Sequence, residues 1–291
     1  MHNTFKNRKI KRLVNPVTTR DGGGVVLRRS IGTRTLSDLD PFLLFDHFGS
    51  DDPEEYIAGF PMHPHRGIET VTYMLEGRIR HRDSVGNSGI IDAGGVQWMT
   101  AGSGIMHEEM PEMKSGRLEG FQLWVNLKSY EKLTRPSYRE FDADEVPSAV
   151  DAAGNRVKVI AGSYGGIDGA VKGISANPIY LDVSIRGNST FEFSVAADSN
   201  VFAYVYRGTL ERPSECPDAE GSFEEPPYLL VFDGEGEKIE LQAGKNGTSL
   251  IIAGGSKINE PIVRYGPFVM NTEDEIEKAL EDLRSGTFVS D

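Results

Sequence analysis

Short runs of apolar, β-branched and aromatic residues alternate with turns along most of the chain. In the segment from Phe121 to Leu127 every second residue is apolar, which places the apolar side chains on one face of a strand. Turn sequences such as Glu76-Gly77 and Val85-Gly86-Asn87-Ser88-Gly89 recur between such runs, and no helical period links them. This pattern predicts an all-β protein built from barrels or sandwiches.

One helix is predicted, close to the C-terminal end of the sequence. The segment Thr272-Glu273-Asp274-Glu275 has the pattern of a capping box. Ile276, Leu280 and Leu283 then fall on one helical face, and Gly286 follows as a stop signal. We expect this helix to cover a barrel with its apolar face.

The length of 291 residues favours two domains rather than one. The segment from Ser129 to Pro147 is polar and contains prolines, so we place a boundary near residue 140, between domains at 1–140 and 141–291. The sequence Tyr206-Arg207-Gly208-Thr209-Leu210 is similar to Leu75-Glu76-Gly77-Arg78-Ile79. The second half is therefore expected to repeat the first as a barrel.

Composition and charge exclude several classes of function. The chain has 31 basic and 44 acidic residues and a net charge of −13, which opposes direct binding to nucleic acid. Cys216 is the single cysteine, so no intramolecular disulfide can form. The sequence has no run of about 18 apolar residues and no apolar signal-peptide core. We expect no membrane association and a cytoplasmic location.

Four potential metal ligands occur as two short pairs in the first half of the chain. His63 and His65 flank Pro64, and His107 and Glu109 follow a glycine-rich turn. Side chains at positions i and i+2 share one face of a strand, and Pro64 excludes a helix interior. If the two strands face each other inside a barrel, three imidazoles and one carboxylate meet at one point. Such a donor set suits iron, copper, nickel or manganese and leaves room for water, substrate or dioxygen.

Glu69 is an alternative carboxylate for this site. It has the same strand parity as His63 and His65, so it could bind the ion in place of Glu109 or support one of the ligands. A histidine pair on a strand can also be a surface pair or a hydrogen-bonded pair without any metal. The spacing alone leaves these alternatives open.

The other histidines are assigned to structural positions. His2 lies in a polar N-terminal segment, and His81 lies in a charged strand end that we expect to be solvated. His47 is flanked by aromatic residues, which predicts a partly buried histidine with satisfied hydrogen bonds rather than a ligand. No histidine follows His107, so the second half cannot repeat the ligand set.

The sequence resembles the pirin family of the cupin superfamily over nearly its whole length. The segments that carry the resemblance are, in one-letter code, RRSIG, DPFLLFDHFG, FPMHPHRGIETVTYMLEG, QWMTAGSGIMHEEMP, FQLWVNL and GPFVMNTEDEIEKALEDLRSG. The resemblance implies two tandem cupin-type barrels, of the double-stranded β-helix or jelly-roll kind, with a short C-terminal helix. It also implies that only the N-terminal barrel binds metal, with His63, His65, His107 and Glu109 as ligands in preference to Glu69.

Two classes of function follow from the resemblance. Because some pirins are similar to quercetin 2,3-dioxygenases, we expect an Fe(II)-dependent dioxygenase that acts on a flavonol-like aromatic enol and dioxygen, with Cu, Ni, Mn or Zn as other candidate metals. Glu109 would then be catalytic, as the acceptor of the hydroxyl proton, and Trp98 and Trp124 could wall the pocket or be plain core residues. The alternative is a non-enzymatic, iron-dependent regulatory protein that binds a transcription factor or a metabolic enzyme. In either case we expect a monomer.

Overall fold

The computed structural model of the chain describes residues 6–212 and 225–289. His2 and Cys216, which the sequence analysis discusses, lie outside these residues. Within them, no helix combines the length and the apolar character that crossing a membrane requires. Strands dominate the regular structure, as the alternating pattern predicts.

The regular elements are numbered in chain order. The strands are β1 (Ile10–Val14), β2 (Val17–Asp21), β3 (Val25–Ile31), β4 (Phe42–Ser50), β5 (Phe60–His65), β6 (Ile68–Glu76), β7 (Arg78–Asp83), β8 (Ser88–Asp92), β9 (Val96–Thr100), β10 (Ile105–Pro111), β11 (Leu118–Asn126), β12 (Ser137–Phe141), β13 (Ser148–Val150), β14 (Arg156–Ala161), β15 (Ser163–Tyr164), β16 (Ile167–Asp168), β17 (Ile179–Ile185), β18 (Thr190–Ser194), β19 (Ser199–Leu210), β20 (Tyr228–Phe232), β21 (Lys238–Ser256), β22 (Val263–Tyr265) and β23 (Phe268–Met270). The helices are two short 3-10 turns (Pro53–Glu55 and Ser129–Glu131) and α1 (Glu273–Ser285).

The contacts within the chain divide it into two compact units. The first, called the N-terminal barrel below, consists of Val17–Glu145 and Ile258–Asp291. The second, called the C-terminal barrel, consists of Met1–Pro16 and Val146–Lys257. Each unit is therefore built from two separate segments of the chain. The division at residue 140 stays a prediction. It did not foresee that the N-terminal segment belongs to the C-terminal barrel and the C-terminal segment to the N-terminal barrel, which is called the exchange of the outer segments below.

Long-range strand pairing and packing explain the exchange. Strand β1 pairs with β20 in the sheet of the C-terminal barrel. In the N-terminal barrel, Val269 on β23 belongs to one buried cluster with Ile68 and Met99. Burial of these apolar side chains gives the outer segments their place in the two units.

The N-terminal barrel is formed by two antiparallel sheets. The larger has seven strands in the order β12-β9-β6-β11-β4-β3-β2, and the smaller has four in the order β5-β10-β7-β8. Leu27, Phe48 and Met74 from the larger sheet pack with Ile79 and Ile91 from the smaller one in a shared apolar cluster. This packing holds the inner faces of the two sheets together, as in other β-sandwiches.

The C-terminal barrel has an apolar interior. Strands β1-β20-β19-β21-β17-β14-β13 follow one another in its sheet, and β18 pairs with β21. Its core includes Phe191, Tyr228 and Leu250. Among the residues that the structure describes, no cluster of potential metal ligands lies in this barrel.

The predicted helix is present, and its N-terminal cap is confirmed. The backbone N–H of Glu275 donates to Thr272 Oγ1 at 3.3 Å, and the backbone N–H of Thr272 donates to Glu275 Oε2 at 3.0 Å. Ile276 is buried as expected, together with Ala279. Leu283 is 38% exposed, so the buried stripe is shorter than the sequence indicated.

Gly67 marks a close approach between the turn after β5 and strand β23. Its φ is +79°, and an added Cβ would overlap the carbonyl oxygen of Val269. We expect Gly67→Ala to lower the free energy of unfolding by about 2–4 kcal/mol, because it combines this overlap with an unfavourable φ. Gly86, at φ +94° with nothing within 4 Å, is the control, and Gly86→Ala should cost about 1 kcal/mol. Equal losses in urea unfolding would contradict the role of the close approach.

Candidate metal centre

The two ligand pairs lie on neighbouring strands of the four-stranded sheet. Strands β5 and β10 are antiparallel, and His107 is the direct partner of His63. The ligands therefore come from adjacent strands of one sheet and not from opposite walls of the barrel. The register shifts between His107 and Glu109, so that Glu109 pairs with Phe60. Such an irregularity changes the direction of the side chains that follow it.

The structure brings the three predicted histidines together. The ring centroids are 4.8 Å apart for His63 and His65, 4.3 Å for His63 and His107, and 5.0 Å for His65 and His107. One ring nitrogen from each histidine lies within 4.8 Å of the others. Three imidazoles of this kind form a group that could hold a metal ion.

The hydrogen bonds leave nitrogen lone pairs directed into this group. His63 Nδ1 donates to the carbonyl oxygen of Pro61 at 2.8 Å, which leaves Nε2 without a proton when the ring is neutral. That Nε2 lies 3.1 Å from Nε2 of His65. Neither ring nitrogen of the buried His107 has a hydrogen-bond partner among the described residues. Buried polar atoms without partners are uncommon, and both nitrogens of His107 are available to bind an ion.

Burial keeps these imidazoles neutral. The pKa values of His65 and His107 are lowered well below the ordinary value, first by desolvation and then by repulsion from the neighbouring imidazoles. Desolvation also lowers the pKa of His63. Neutral imidazole is the form that binds metal ions, so no proton has to be displaced near neutral pH.

Glu109 lies in a second, overlapping group. This group consists of Glu109, His107 and His81. A carboxylate oxygen of Glu109 and one ring nitrogen from each histidine lie within 4.8 Å of one another. The hydroxyl group of Thr72 donates to Glu109 Oε1 at 2.6 Å. Burial raises the pKa of Glu109 to about 7, and the hydrogen bond from Thr72 opposes the shift. The four predicted ligands are thus divided between two groups that share His107.

His81 is a residue that the sequence assigned wrongly. It was expected at a solvated strand end, but its side chain is completely buried. His81 Nε2 donates to Asp83 Oδ2 at 3.2 Å, and the ring stacks on Tyr138 with centroids 4.5 Å apart. His81 also pairs directly with Glu109 across strands β7 and β10. Alternation with the buried Ile79 was the signal that this face of β7 points inward.

His47 has the structural role that the sequence predicted. Its side chain is 3% exposed, and its Nε2 lies 3.0 Å from Oε1 of Glu119. It belongs to neither of the two groups of potential ligands. The hydrogen bond to Glu119 accounts for its burial without a metal ion.

Glu69 lies outside both groups of potential ligands. Glu69 lies on β6, three residues before Thr72, so the two side chains point to opposite faces of the sheet. Glu69 Oε1 accepts a hydrogen bond from Thr100 at 2.9 Å. Burial is the first cause that raises the pKa of Glu69 to about 7. The geometry therefore separates Glu69 from the histidines, to which the sequence offered it as an alternative ligand to Glu109.

The raised pKa of Glu69 predicts a pH-dependent gain in stability on substitution. Its folded-state pKa lies above the ordinary 4.5, so ionisation opposes folding, and the penalty grows as pH rises through 7. Glu69→Gln keeps an acceptor for Thr100 and should raise the free energy of unfolding by up to about 3 kcal/mol at pH 8 and by less than about 1 kcal/mol at pH 5. Urea unfolding at both pH values measures this difference. A gain that does not depend on pH would contradict the prediction.

The seven-stranded sheet presents a row of polar side chains on its inner face. Asp46, Gln122 and Thr72 are cross-strand neighbours, and Arg29 continues the row on β3. Arg29 donates two hydrogen bonds to Asp46, at 2.8 and 2.7 Å. Because Thr72 bonds to Glu109, this row connects the larger sheet to the group of potential ligands.

A cavity of about 540 Å³ lies beside the histidines. His63, His65 and Glu109 belong to its lining, and Trp124 forms a wall with its ring edge-on to His65 at 4.9 Å. This volume lies within the range of small-molecule sites. Trp124 is thus a pocket residue, whereas Trp98 is fully buried and belongs to the core.

Two β-barrels in one chain, of which the first encloses a cluster of histidines, define a two-domain cupin. Residues 24–125 match the family model for Pirin, and residues 180–289 match the model for the Pirin C-terminal cupin domain. The chain belongs to the pirin family. The resemblance stated from the sequence motifs and the predicted pair of cupin barrels are both confirmed.

Similar proteins cover nearly the whole chain. A pirin-like protein of Caulobacter vibrioides is 42% identical over 97% of this chain and 99% of its own length. The crystal structure of a quercetin 2,3-dioxygenase from Acinetobacter baumannii has a TM-score of 0.87 and 32% identity, covering 98% of this chain and 99% of that one. A bacterial pirin from Escherichia coli, solved with nickel(II), has a TM-score of 0.64 at 20% identity over 84% of this chain and 98% of that one, which supports the fold alone.

Proposed function

We propose that the chain is a metal-dependent dioxygenase of the quercetinase type, which opens a flavonol-like aromatic enol with dioxygen. The observation that carries the proposal is the convergence of His63, His65 and His107 beside a cavity of about 540 Å³. The solved quercetin 2,3-dioxygenase that matches 98% of the chain supports the same chemistry. We propose Fe(II) as the native ion, with Cu, Ni, Mn and Zn as alternatives for the same donor set.

The proposed ligands are the three histidines and Glu109. The fit rests on the donors themselves: neutral imidazoles, a lone pair on His63 Nε2 and unpartnered nitrogens on His107. The ligand atom of Glu109 lies within 4.8 Å of that of His107 in the second group, and we propose it as the fourth ligand. When bound, the ion supplies Lewis acidity toward the enol oxygen and the redox chemistry with dioxygen.

Glu109 has the properties of a proton acceptor. Its carboxyl group lines the cavity, and burial brings its pKa to about 7, so it can accept or release a proton near neutral pH. Thr72 holds Oε1 through a hydrogen bond of 2.6 Å. Oε2 can then take the proton of the substrate hydroxyl if Glu109 leaves the ion or rotates. The reaction can then begin with deprotonation of the enol at this oxygen.

The walls of the cavity position a planar substrate. The Trp124 ring offers a flat apolar surface next to His65, and the side chains of Leu27, Leu44 and Phe60 add apolar lining. An aromatic molecule that fills this space displaces water from the ligand group. Exclusion of water strengthens the interactions of Glu109 with the reacting hydroxyl group.

Anaerobic reconstitution tests this function. The purified chain is loaded separately with Fe(II), Cu(II), Ni(II), Mn(II) and Zn(II), quercetin is added, and dioxygen is then admitted. We expect at least one redox-active form to consume dioxygen and to bleach the absorbance of quercetin in a fixed ratio. Absence of turnover with every one of these ions, although the ion is bound, would overturn the dioxygenase proposal.

A further inference from the structure

We propose that Arg264 makes the cavity selective for substrates that carry a carboxylate or another anionic group at the end away from the metal-binding enol. Among flavonol-like aromatic enols, those that carry such an anionic group are thus expected to bind more tightly than neutral ones. The inference rests on the proposed function, because it concerns the substrate of the same site. It is carried by the position of Arg264 and by the partners of its guanidinium group.

Arg264 lies in the wall of the cavity, next to the histidines. It belongs to β22 and lines the cavity together with Gly266 and Pro267. Its Cζ lies 4.9 Å from the centroid of the Trp124 ring. The same Trp124 ring lies 4.9 Å from the ring of His65. A flat ligand in the cavity can therefore contact the ligand group at one end and Arg264, which lies over the Trp124 ring, at the other.

The guanidinium group of Arg264 has donors available for a ligand. Nε donates to the carbonyl oxygen of Gly266 at 3.2 Å, and Nη1 donates to that of Leu43 at 3.3 Å. Nη2 has no acceptor among residues 6–212 and 225–289, and no carboxylate of those residues lies within 4.0 Å of the group. The side chain is exposed at this point. The direct hydrogen-bond acceptors of this guanidinium are neutral carbonyls, and the carboxylates of Asp46 and Asp21 act on it only from beyond 4.0 Å. Its remaining N–H groups can therefore bind an incoming carboxylate through two parallel hydrogen bonds.

Arg29, the other arginine of the cavity wall, is already paired. It donates two hydrogen bonds to Asp46 and a third, of 2.8 Å, to Asp21. Both acidic residues also line the cavity, and Arg29 is the cation that hydrogen-bonds to each of them. Of the two arginines in the cavity wall, Arg264 is thus the one with N–H donors available to an anionic ligand. The chain as a whole has a net charge of −13.

A matched pair of ligands tests the selectivity without turnover. The chain is loaded with Zn(II) and titrated with 3-hydroxyflavone and with 3-hydroxyflavone-4′-carboxylate, and binding is followed by calorimetry. We expect the carboxylate to bind at least about tenfold more tightly, the effect of one charge-assisted contact. In Arg264→Gln this preference should disappear, while affinity for the neutral ligand stays within about twofold. Arg264→Lys should keep part of the preference.

Arg207→Gln is the matched control. Arg207 also stacks on an aromatic ring, with Cζ 5.5 Å from the centroid of Tyr206, but it belongs to the C-terminal barrel. This variant changes the net charge equally and should keep the preference of the wild type. Equal affinity of the wild type for the two ligands, or a preference that survives in Arg264→Gln, would overturn the inference and leave the dioxygenase proposal intact. Failure of the Zn(II)-loaded wild type to bind either ligand would also overturn the inference, whereas the dioxygenase proposal is decided separately by the turnover assay with each ion.

Discussion

Replacement of His107 by alanine is expected to abolish metal binding by the N-terminal barrel and, with it, any turnover. His107 is the residue common to both groups of potential ligands. Its ring lies 4.3 Å from that of His63, 5.0 Å from that of His65 and 5.3 Å from that of His81. No single other substitution removes a member of both groups. Because even the loss of a residue that only supports a ligand costs about 10–100-fold in metal affinity, we expect a loss of more than about 100-fold here.

Metal content after dialysis against a buffered metal solution measures this effect. His47→Gln is the control, because His47 is equally buried but bonds to Glu119 outside both groups. That variant should keep the metal content of the wild type. Circular dichroism shows whether each variant is folded. A folded His107→Ala protein that binds metal as tightly as the wild type would contradict the assignment of the centre.

Replacement of Lys132 by methionine is expected to cause the largest loss of stability. The side chain is 1% exposed, and its ammonium group donates to three oxygen atoms: Gly67 O at 2.9 Å, Asn126 Oδ1 at 2.7 Å and Val269 O at 2.9 Å. Methionine fills a similar volume but leaves all three acceptors buried without a donor. We expect the free energy of unfolding to fall by about 3–5 kcal/mol.

Lys128 provides the matched control within the same connection. Its ammonium group lies 5.8 Å from the ring centroid of Tyr130, which is 75% exposed. Lys128→Met should therefore change the free energy of unfolding by less than about 1 kcal/mol. Denaturant unfolding of both variants gives the comparison. Similar small changes for the two lysines would show that the three hydrogen bonds of Lys132 contribute little.

Local patterns in the sequence were sufficient to predict several of the secondary-structure elements. Alternation of apolar residues predicted strand β11, and the capping box predicted the start of α1. The spacing of His63 and His65, and of His107 and Glu109, indicated strands with inward side chains. Each of these signals depends on neighbours a few residues apart, which the sequence displays directly.

The features that could not be predicted depend on contacts between distant segments. The pairing of β1 with β20 and of β5 with β10 has no local signature. His81 was misassigned because Arg80 and Arg82, on either side of it, suggested a solvated strand. In the structure Arg82 points outward and is 54% exposed, whereas His81 points inward to Asp83. The alternation of inward and outward side chains along β7 therefore decides the burial of His81, even though most residues of the strand are charged.

The order in which the ribosome makes the chain has a consequence for this cavity. His63, His65 and Glu109 emerge early, but Arg264, Gly266 and Pro267 complete the same cavity from a segment made only after Val146–Lys257. A nascent chain therefore carries the histidines throughout the synthesis of Val146–Lys257, before the wall beside them exists. Translation that stops before Ile258 would leave a polypeptide with the candidate ligand side chains and an unfinished pocket.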